Sequence, residues 1–363
     1  MKVLFFFTVN KSFLSDYFVA LAEHVAGQGH DVVVFSWKSI SEKRNNKNVT
    51  YITSTKKGRF QQYYCIYSLI KSEQPTTIIS NFSYVNPALV AAKFFKKINS
   101  IAWQHSLIAQ TKASQRQIFI KRNVLRLADT IVVNSTHLKK ELANQFSLKK
   151  KNIALLPFWS TITSYSEKKI KLPTADFLIG CCGRLEADKN QRTLLEAFAI
   201  IKNNLPNTSM KLILAGEGAD AKFLKEKAAS LAIKDHVVFL GLLSAQEMVA
   251  FYNAMQLIVL PSLHEAFGLT FIEALALDRP VLVSDAFGAL TFINNRSDAL
   301  EKIVFKPDDA KMLAAKMKSF ILQNEISIMI PYKSLYDTIV SKESIQKQFD
   351  NILEKTTTLT NVI

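Results

Sequence analysis

The stretch PSLHEAFGLTFIEALALDRPVLVSD, residues 261–285, decides how this chain folds. The apolar run Leu257–Leu260 reads as a strand that stops at Pro261. A polar loop then carries His264 to Gly268, a helix begins near Leu269, and Pro280–Val283 reads as the next strand. Strand, loop, helix, strand is the repeating unit of a parallel sheet with crossover helices. Gly268 lets the backbone come close to a ligand. The free N–H groups at the helix start, together with the helix dipole, suit a phosphate. Glu265 in the loop and Glu273 one turn into the helix offer only hydrogen-bond acceptors, so they suit sugar hydroxyls. Glutamates early in a helix also answer the dipole alone, so the loop needs support from other segments.

The same alternation runs outward in both directions. In the second half, Phe177–Cys182, Lys211–Ala215 and His236–Leu240 read as strands, and Asn190–Asn203 and Asp308–Leu322 as helices. In the first half, strands are expected at Lys2–Val9, Asp31–Ser36, Thr76–Ser80, Ser100–Gln104, Thr130–Val133 and Asn152–Leu156. A helix fills Phe13–Ala26 and ends at Gly27 or Gly29. Pro157–Thr163 reads as a link between domains, extended by the polar stretch Ser164–Pro173. The 363 residues suit two domains. The expected fold is α/β: two doubly wound, Rossmann-like domains at residues 1–160 and 161–340, facing across a cleft. A last amphipathic helix, Ser341–Glu354, lies in residues 341–363.

Charge is unevenly placed. Residues 1–160 carry 23 basic and 7 acidic side chains, whereas residues 161–363 carry 23 of each. A basic half suits an anionic surface, either phospholipid or nucleic acid. No stretch supplies the ~20 apolar residues of a membrane span. Cys65, Cys181 and Cys182 form neither a disulfide framework nor a metal-ligand spacing, which fits a reducing cytoplasm.

Three further segments carry candidate chemistry. GRLEADK, residues 183–189, places Arg184 and Lys189 at the carboxyl end of a strand, where open α/β sheets bind ligands. An arginine grips phosphate with two hydrogen bonds and a lysine adds a point charge. Together they suit a leaving diphosphate without a metal. AGEG, residues 215–218, marks a tight turn whose Gly216 shapes a nucleotide pocket rather than binding directly. His105 follows the strand Ser100–Gln104, where it can orient a sugar or accept a hydrogen bond. Asn10, Lys11 and Ser12 close the first strand and are candidates to touch an acceptor or a diphosphate.

Taken in order, GRLEADK, AGEG, VVFLG and PSLHEAFGLTFIEA resemble the carboxyl-terminal domain of the family 4 retaining glycosyltransferases, group 1, which have the GT-B fold. The resemblance covers about residues 175–325 and includes two glutamates separated by seven residues. MKVLFFFTV, QGHDVVVFS and ADTIVVNSTHLKKEL add weaker similarity in the first half. The resemblance implies that Arg184 and Lys189 bind a donor diphosphate and that Glu273 holds ribose hydroxyls. Glu265 would contact the donor sugar at its reacting end. Phe267, Gly268 and Leu269 would offer backbone N–H groups, and the backbone near Phe239 and Leu240 would face the base. His105 matches a donor-site histidine. The last helix would cross back onto the first domain. Three departures concern the acceptor side and the finer donor contacts: Asn10-Lys11-Ser12 replaces paired glycines, Pro157-Phe158-Trp159 replaces an Asn-Gly link, and DAFGALT at 285–291 lacks its glycine pair.

The expectation is therefore a retaining hexosyltransferase that takes a hexose or N-acetylhexosamine from a nucleotide diphosphate sugar, UDP being the first candidate. It would use neither metal nor cofactor. Its acceptor would be a membrane-associated glycan or lipid-linked sugar in envelope polysaccharide or lipopolysaccharide synthesis. Its place would be peripheral, on the cytoplasmic face of the inner membrane, against an anionic surface, with no nucleic acid partner. A sugar-nucleotide epimerase or phosphorylase of related fold, and a non-catalytic nucleic-acid-binding or partner protein, are the alternatives.

Overall fold

A computed structural model of the protein describes residues 1–10, 12–38, 48–55, 58–95, 97–107, 113–148, 152–162, 165–293, 298–322 and 330–359. The chain divides into two compact units, Met1–Thr161 with Lys342–Ile363, and Ile162–Ser341.

The first unit runs β1 (Lys2–Phe6), α1 (Phe13–Gly27), β2 (Asp31–Ser36), β3 (Val49–Thr53), α2 (Arg59–Glu73) and β4 (Thr77–Ser80). It continues α3 (Val85–Ala92), β5 (Asn99–Gln104), α4 (Gln115–Leu125), β6 (Thr130–Val133), α5 (Thr136–Gln145) and β7 (Ile153–Leu155). The strands form one parallel sheet in the order β3-β2-β1-β4-β5-β6-β7. Its central strands are buried nearly throughout because helices cover both faces. On one side Leu4, Phe6, Phe35 and Ile78 meet Ile66 and Ile70 of α2 and Ala88 of α3. On the other side Phe18 of α1 sits edge-on to Trp103, with ring centres 5.0 Å apart. Strand β3 was not expected; only Val49 of its five residues is buried, so it lacks the apolar run that marks an inner strand. The run Lys2–Val9 shortens to Lys2–Phe6.

The second unit runs β8 (Phe177–Cys182), α6 (Gln191–Asn204), β9 (Met210–Ala215), α7 (Ala221–Ser230), β10 (Val237–Gly241), α8 (Ala245–Ala254) and β11 (Leu257–Leu260). It continues α9 (Leu269–Ala276), β12 (Val281–Ser284), α10 (Asp298–Ile303), β13 (Val304–Phe305), α11 (Ala310–Leu322) and α12 (Tyr332–Val340). Its parallel sheet has the order β10-β9-β8-β11-β12-β13. The two-residue β13 is too short to announce itself in the sequence. The two sheets and their flanking helices give two Rossmann-like domains, the GT-B class expected from the sequence.

The segment expected to be a plain link is part of the first core. Phe158 and Trp159 are each 2% exposed. Tyr17 packs against both rings, with centres at 4.7 and 4.0 Å, and its hydroxyl donates to the Pro157 carbonyl at 3.4 Å. Three apolar residues in that link were the available signal.

The chain returns to the first unit through α13 (Lys342–Leu359), which extends past the expected end at Glu354. Ile345, Phe349 and Leu353 are buried, and the Phe349 ring lies tilted against Trp103 with centres 5.9 Å apart. Asp350 takes hydrogen bonds from His24 at 3.0 Å and Gln28 at 2.8 Å, and Thr356 meets Thr130 at 2.8 Å. Deleting a buried phenylalanine costs its transfer energy plus a cavity. Phe349→Ala should therefore destabilise the first unit by about 3 kcal/mol, read as a lower urea midpoint for the tryptophan fluorescence transition, since Trp37, Trp103 and Trp159 all lie in that unit.

Candidate functional site

In the second unit the candidate residues gather on loops at the carboxyl ends of β8, β9, β11 and β12, held by backbone contacts. Gly216 has φ +137°, and a Cβ there would lie 2.0 Å from the Gly183 carbonyl oxygen. A Cβ on Gly218 would lie 2.2 Å from the Leu185 carbonyl oxygen. The glycine pair of AGEG thus lets two loops touch backbone to backbone. Leu185 N–H donates to Glu217 O at 2.9 Å, and Asp220 N–H donates to Leu185 O at 2.9 Å.

Asn190 fastens the same loop to two others. Its backbone is left-handed, at φ 54°, a conformation Asn tolerates better than most residues. Its side-chain amide donates to Pro261 O at 3.1 Å and Pro307 O at 2.8 Å, and its carbonyl accepts from Thr193 at 2.8 Å. Gln191 adds a bond to Arg184 O at 2.9 Å. From the sequence Asn190 reads only as a helix start; an asparagine at a helix boundary is the one local signal it carries.

This scaffold brings Lys189 and Glu265 together. Their side chains form an ion pair, and each is 16% exposed. Arg184 on the same loop pairs instead with Glu186, and with Asp188 at 3.8 Å, and stays 58% exposed. An incoming anion would therefore compete with carboxylates for both cations.

Glu265 is itself held at both ends. Its backbone bridges Phe287, and its carbonyl accepts from Gly288 N–H at 3.1 Å. Ala289 N–H donates to Phe267 O at 2.8 Å. Gly268 has φ +99°, and a Cβ there would strike the Phe287 ring at 2.1 Å. The left-handed backbone and the packing of Phe287 both demand glycine at this position. DAFGALT, lacking a glycine pair, supplies that ring. No side chain caps α9 at Gly268, which leaves the helix start, from Leu269 on, open to an outside acceptor.

Glu273 lies one turn further on and is half-buried. The Tyr252 hydroxyl donates to it at 2.8 Å and lies 3.2 Å from the Cys182 sulfur. Burial lifts the Glu273 pKa to about 7, against the hydrogen bond from Tyr252, which lowers it. Burial also pushes Cys182 up to about 12 and Tyr252 well above its usual range. Tyr252 escaped sequence reasoning because one tyrosine on the apolar face of α8 reads as packing. Leu240 sits at a bulge of β10, where the register shifts between Phe239 and Gly241. Lys225 lies 5.4 Å over the Phe239 ring.

The remaining candidates are in the first unit. His105 follows β5 inside a ring of aromatics: Phe82 at 4.8 Å, Phe158 at 5.6 Å, Phe18 at 5.7 Å and Trp103 at 6.3 Å. Both its ring nitrogens are buried without a hydrogen-bond partner among the described residues. Burial, reinforced by the Lys121 charge, lowers its pKa to about 3, so it is neutral. Asn10 accepts from Ser12, and Ser12 caps α1 by accepting from Ser15 N–H at 3.3 Å. Lys11 lies outside the described residues. Among the described residues no three His, Cys, Asp or Glu side chains group as metal ligands, and no helix is long and apolar enough to cross a membrane.

Residues 164–332 match the family model for glycosyl transferases group 1, and residues 14–158 match the model for glycosyltransferase family 4. An uncharacterised glycosyltransferase of Bacillus subtilis is 27% identical over 248 residues, 63% of this chain and 67% of that one. The mannosylfructose-phosphate synthase of Agrobacterium fabrum is 26% identical over 206 residues, 51% of this chain; the match spans only 44% of that protein's length. A solved structure of Anabaena HepE in complex with UDP superimposes with a TM-score of 0.77 at 16% identity, covering 98% of this chain and 100% of that one.

The raised pKa of Glu273 has a stability consequence. The fold favours the protonated acid, so this contribution is complete below the ordinary carboxylate range and is lost as the pH rises through about 7. Between pH 5 and pH 8 the wild type should lose about 2 kcal/mol relative to Glu273→Gln, measured by urea unfolding across that range.

Proposed function

Because the chain belongs to the group 1 glycosyltransferases of family 4, we propose that it is a retaining hexosyltransferase using a nucleotide diphosphate sugar. The Lys189–Glu265 pair beside the uncapped start of α9 carries this reading. It sets a cation for phosphate, a carboxylate for sugar hydroxyls and open backbone N–H groups within one knot of loops.

In this reading the donor diphosphate meets Arg184, Lys189 and the backbone of Phe267, Gly268 and Leu269. Glu273 takes the ribose hydroxyls, and the backbone at Leu240 faces the base, with Gly216 leaving room by keeping its loop close. Glu265 holds the sugar. The bond from the anomeric carbon to the diphosphate oxygen breaks, and an acceptor hydroxyl attacks from the same face. Its proton passes to the departing phosphate. The two cations take up charge as it grows on the leaving group, and no metal is required for that. His105, being neutral, is suited to accept a hydrogen bond from a donor-sugar hydroxyl, and Asn10 to touch the acceptor or the diphosphate. The complex of Anabaena HepE makes UDP the first nucleotide to try.

We extend the proposal to an acceptor at a membrane, a glycan or lipid-linked sugar of envelope polysaccharide or lipopolysaccharide synthesis. The 23 basic against 7 acidic residues of positions 1–160 support it, because a lipid diphosphate and an anionic leaflet both attract such a surface. The protein would then work peripherally on the cytoplasmic face of the inner membrane.

UDP, GDP and ADP, each at the same concentration and in EDTA, test the donor site by thermal unfolding. One of them, present at 100 times its dissociation constant, should add about 2.7 kcal/mol of stability to the wild type and none to Arg184→Ala or Glu273→Ala. No stabilisation of the wild type by any nucleotide would overturn the proposal. With donor and acceptor, the product should keep the donor's anomeric configuration by NMR; an inverted product would remove the retaining mechanism.

A further inference from the structure

Helix α2 keeps an unusual amount of ring surface in water. Of its fifteen residues only Ile66 and Ile70 are buried. Phe60 is 93% exposed and Tyr64 72%. Helix α3 packs beside it, and Phe94, just past α3, is 73% exposed. Tyr63, Tyr64, Tyr67, Val90, Ala91 and Phe94 line an open groove of about 310 Å³. Helix α4, packed on α3, adds Phe119 and Ile120, both exposed, with the Arg122 guanidinium 5.4 Å over the Phe119 ring.

The charge around these rings is one-sided. From Arg59 to Arg126 the sequence contains ten lysines and arginines and one acid, Glu73. Lys2 already pairs with Glu73 at 2.7 Å. Arg59, Lys71, Lys93 and Arg116 are exposed along the same three helices.

Clustered exposed rings on a soluble surface mark a place where something else is bound. The boundary of a bilayer accepts aromatic rings at headgroup depth, while arginine and lysine stems reach past them to phosphates. A surface almost free of acids is what an anionic leaflet requires. A nucleic acid would need the rings set along a basic channel for stacking, whereas these stand on the outer turns of packed helices. We propose that α2, α3 and α4 form a docking face that seats Phe60, Tyr64 and Phe94 among the headgroups of an anionic phospholipid bilayer. This rests on the membrane-side acceptor proposed above. It adds that attachment is through rings as well as charge, so part of it survives salt.

The test is flotation of the full chain with vesicles of phosphatidylglycerol and phosphatidylcholine, or of phosphatidylcholine alone, at low and at high salt. The wild type should float best with the anionic vesicles at low salt, weaken but persist in high salt, and bind the neutral ones only to about that residual extent. The combined variant Phe60→Ser, Tyr64→Ser, Phe94→Ser should partition about tenfold less at both salts, while nucleotide stabilisation of the variant matches the wild type and reports an intact fold. Equal flotation of variant and wild type would overturn the docking face. So would complete loss of wild-type binding in high salt, or tighter binding to a single-stranded RNA than to the vesicles. Nucleotide stabilisation without flotation sinks the docking face and leaves the transferase reading standing; flotation without nucleotide stabilisation does the reverse.

Discussion

Two loops of the second unit run so close that their backbones touch, and the candidate donor site depends on that contact. Gly216 against Gly183 and Gly218 against Leu185 leave no space for a Cβ. The loop carrying Arg184 and Lys189 is therefore fixed by its neighbour's main chain, to which the side chains of Asn190 and Gln191 add. Asn190 then ties this loop to the carbonyls of Pro261 and Pro307, after β11 and β13. Through that tie the position of Lys189 and that of Glu265 become one geometric fact. The backbone that carries them is already in place when a ligand arrives, so the rearrangement left to binding is the exchange of side-chain ion pairs for contacts to the ligand.

Much of this architecture was legible in the sequence, for identifiable reasons. The inner strands, such as β8 and β11, are continuous apolar runs because both their faces are covered. The edge strand β3 was invisible because an edge strand need not be apolar. At Pro157–Thr163 the division between the units falls within the expected link, after Thr161, but the two rings at its start are core, which a proline and a position between domains do not announce. At the site, the motifs identified the charged residues. They did not identify what those residues pair with when no ligand is present, because an ion pair between positions 76 residues apart leaves no local pattern. Tyr252 and Asn190 escaped for the same reason: their importance lies in partners far along the chain.

The glycines show how one residue type serves different ends. Gly216 and Gly218 answer to neighbouring main chain, while Gly268 answers to the Phe287 ring as well as to its own left-handed backbone. The loss of a glycine pair in DAFGALT and the presence of glycine at 268 are then two halves of one packing solution. A large ring at 287 fills space that a smaller residue would leave open, and a glycine at 268 makes room for it.

The chain leaves the first unit at Thr161 and comes back at Lys342. The second unit is thus an insertion within the first, and the covering of Trp103 by Phe349 joins residues separated by the whole of it. During synthesis the second unit has all of its sequence before the first does. The aromatic face of α1 and β5 stays open to water until residues beyond Ser341 have left the ribosome. For that interval the cell holds a half-covered apolar surface, which is the kind of species that chaperones hold and proteases cut.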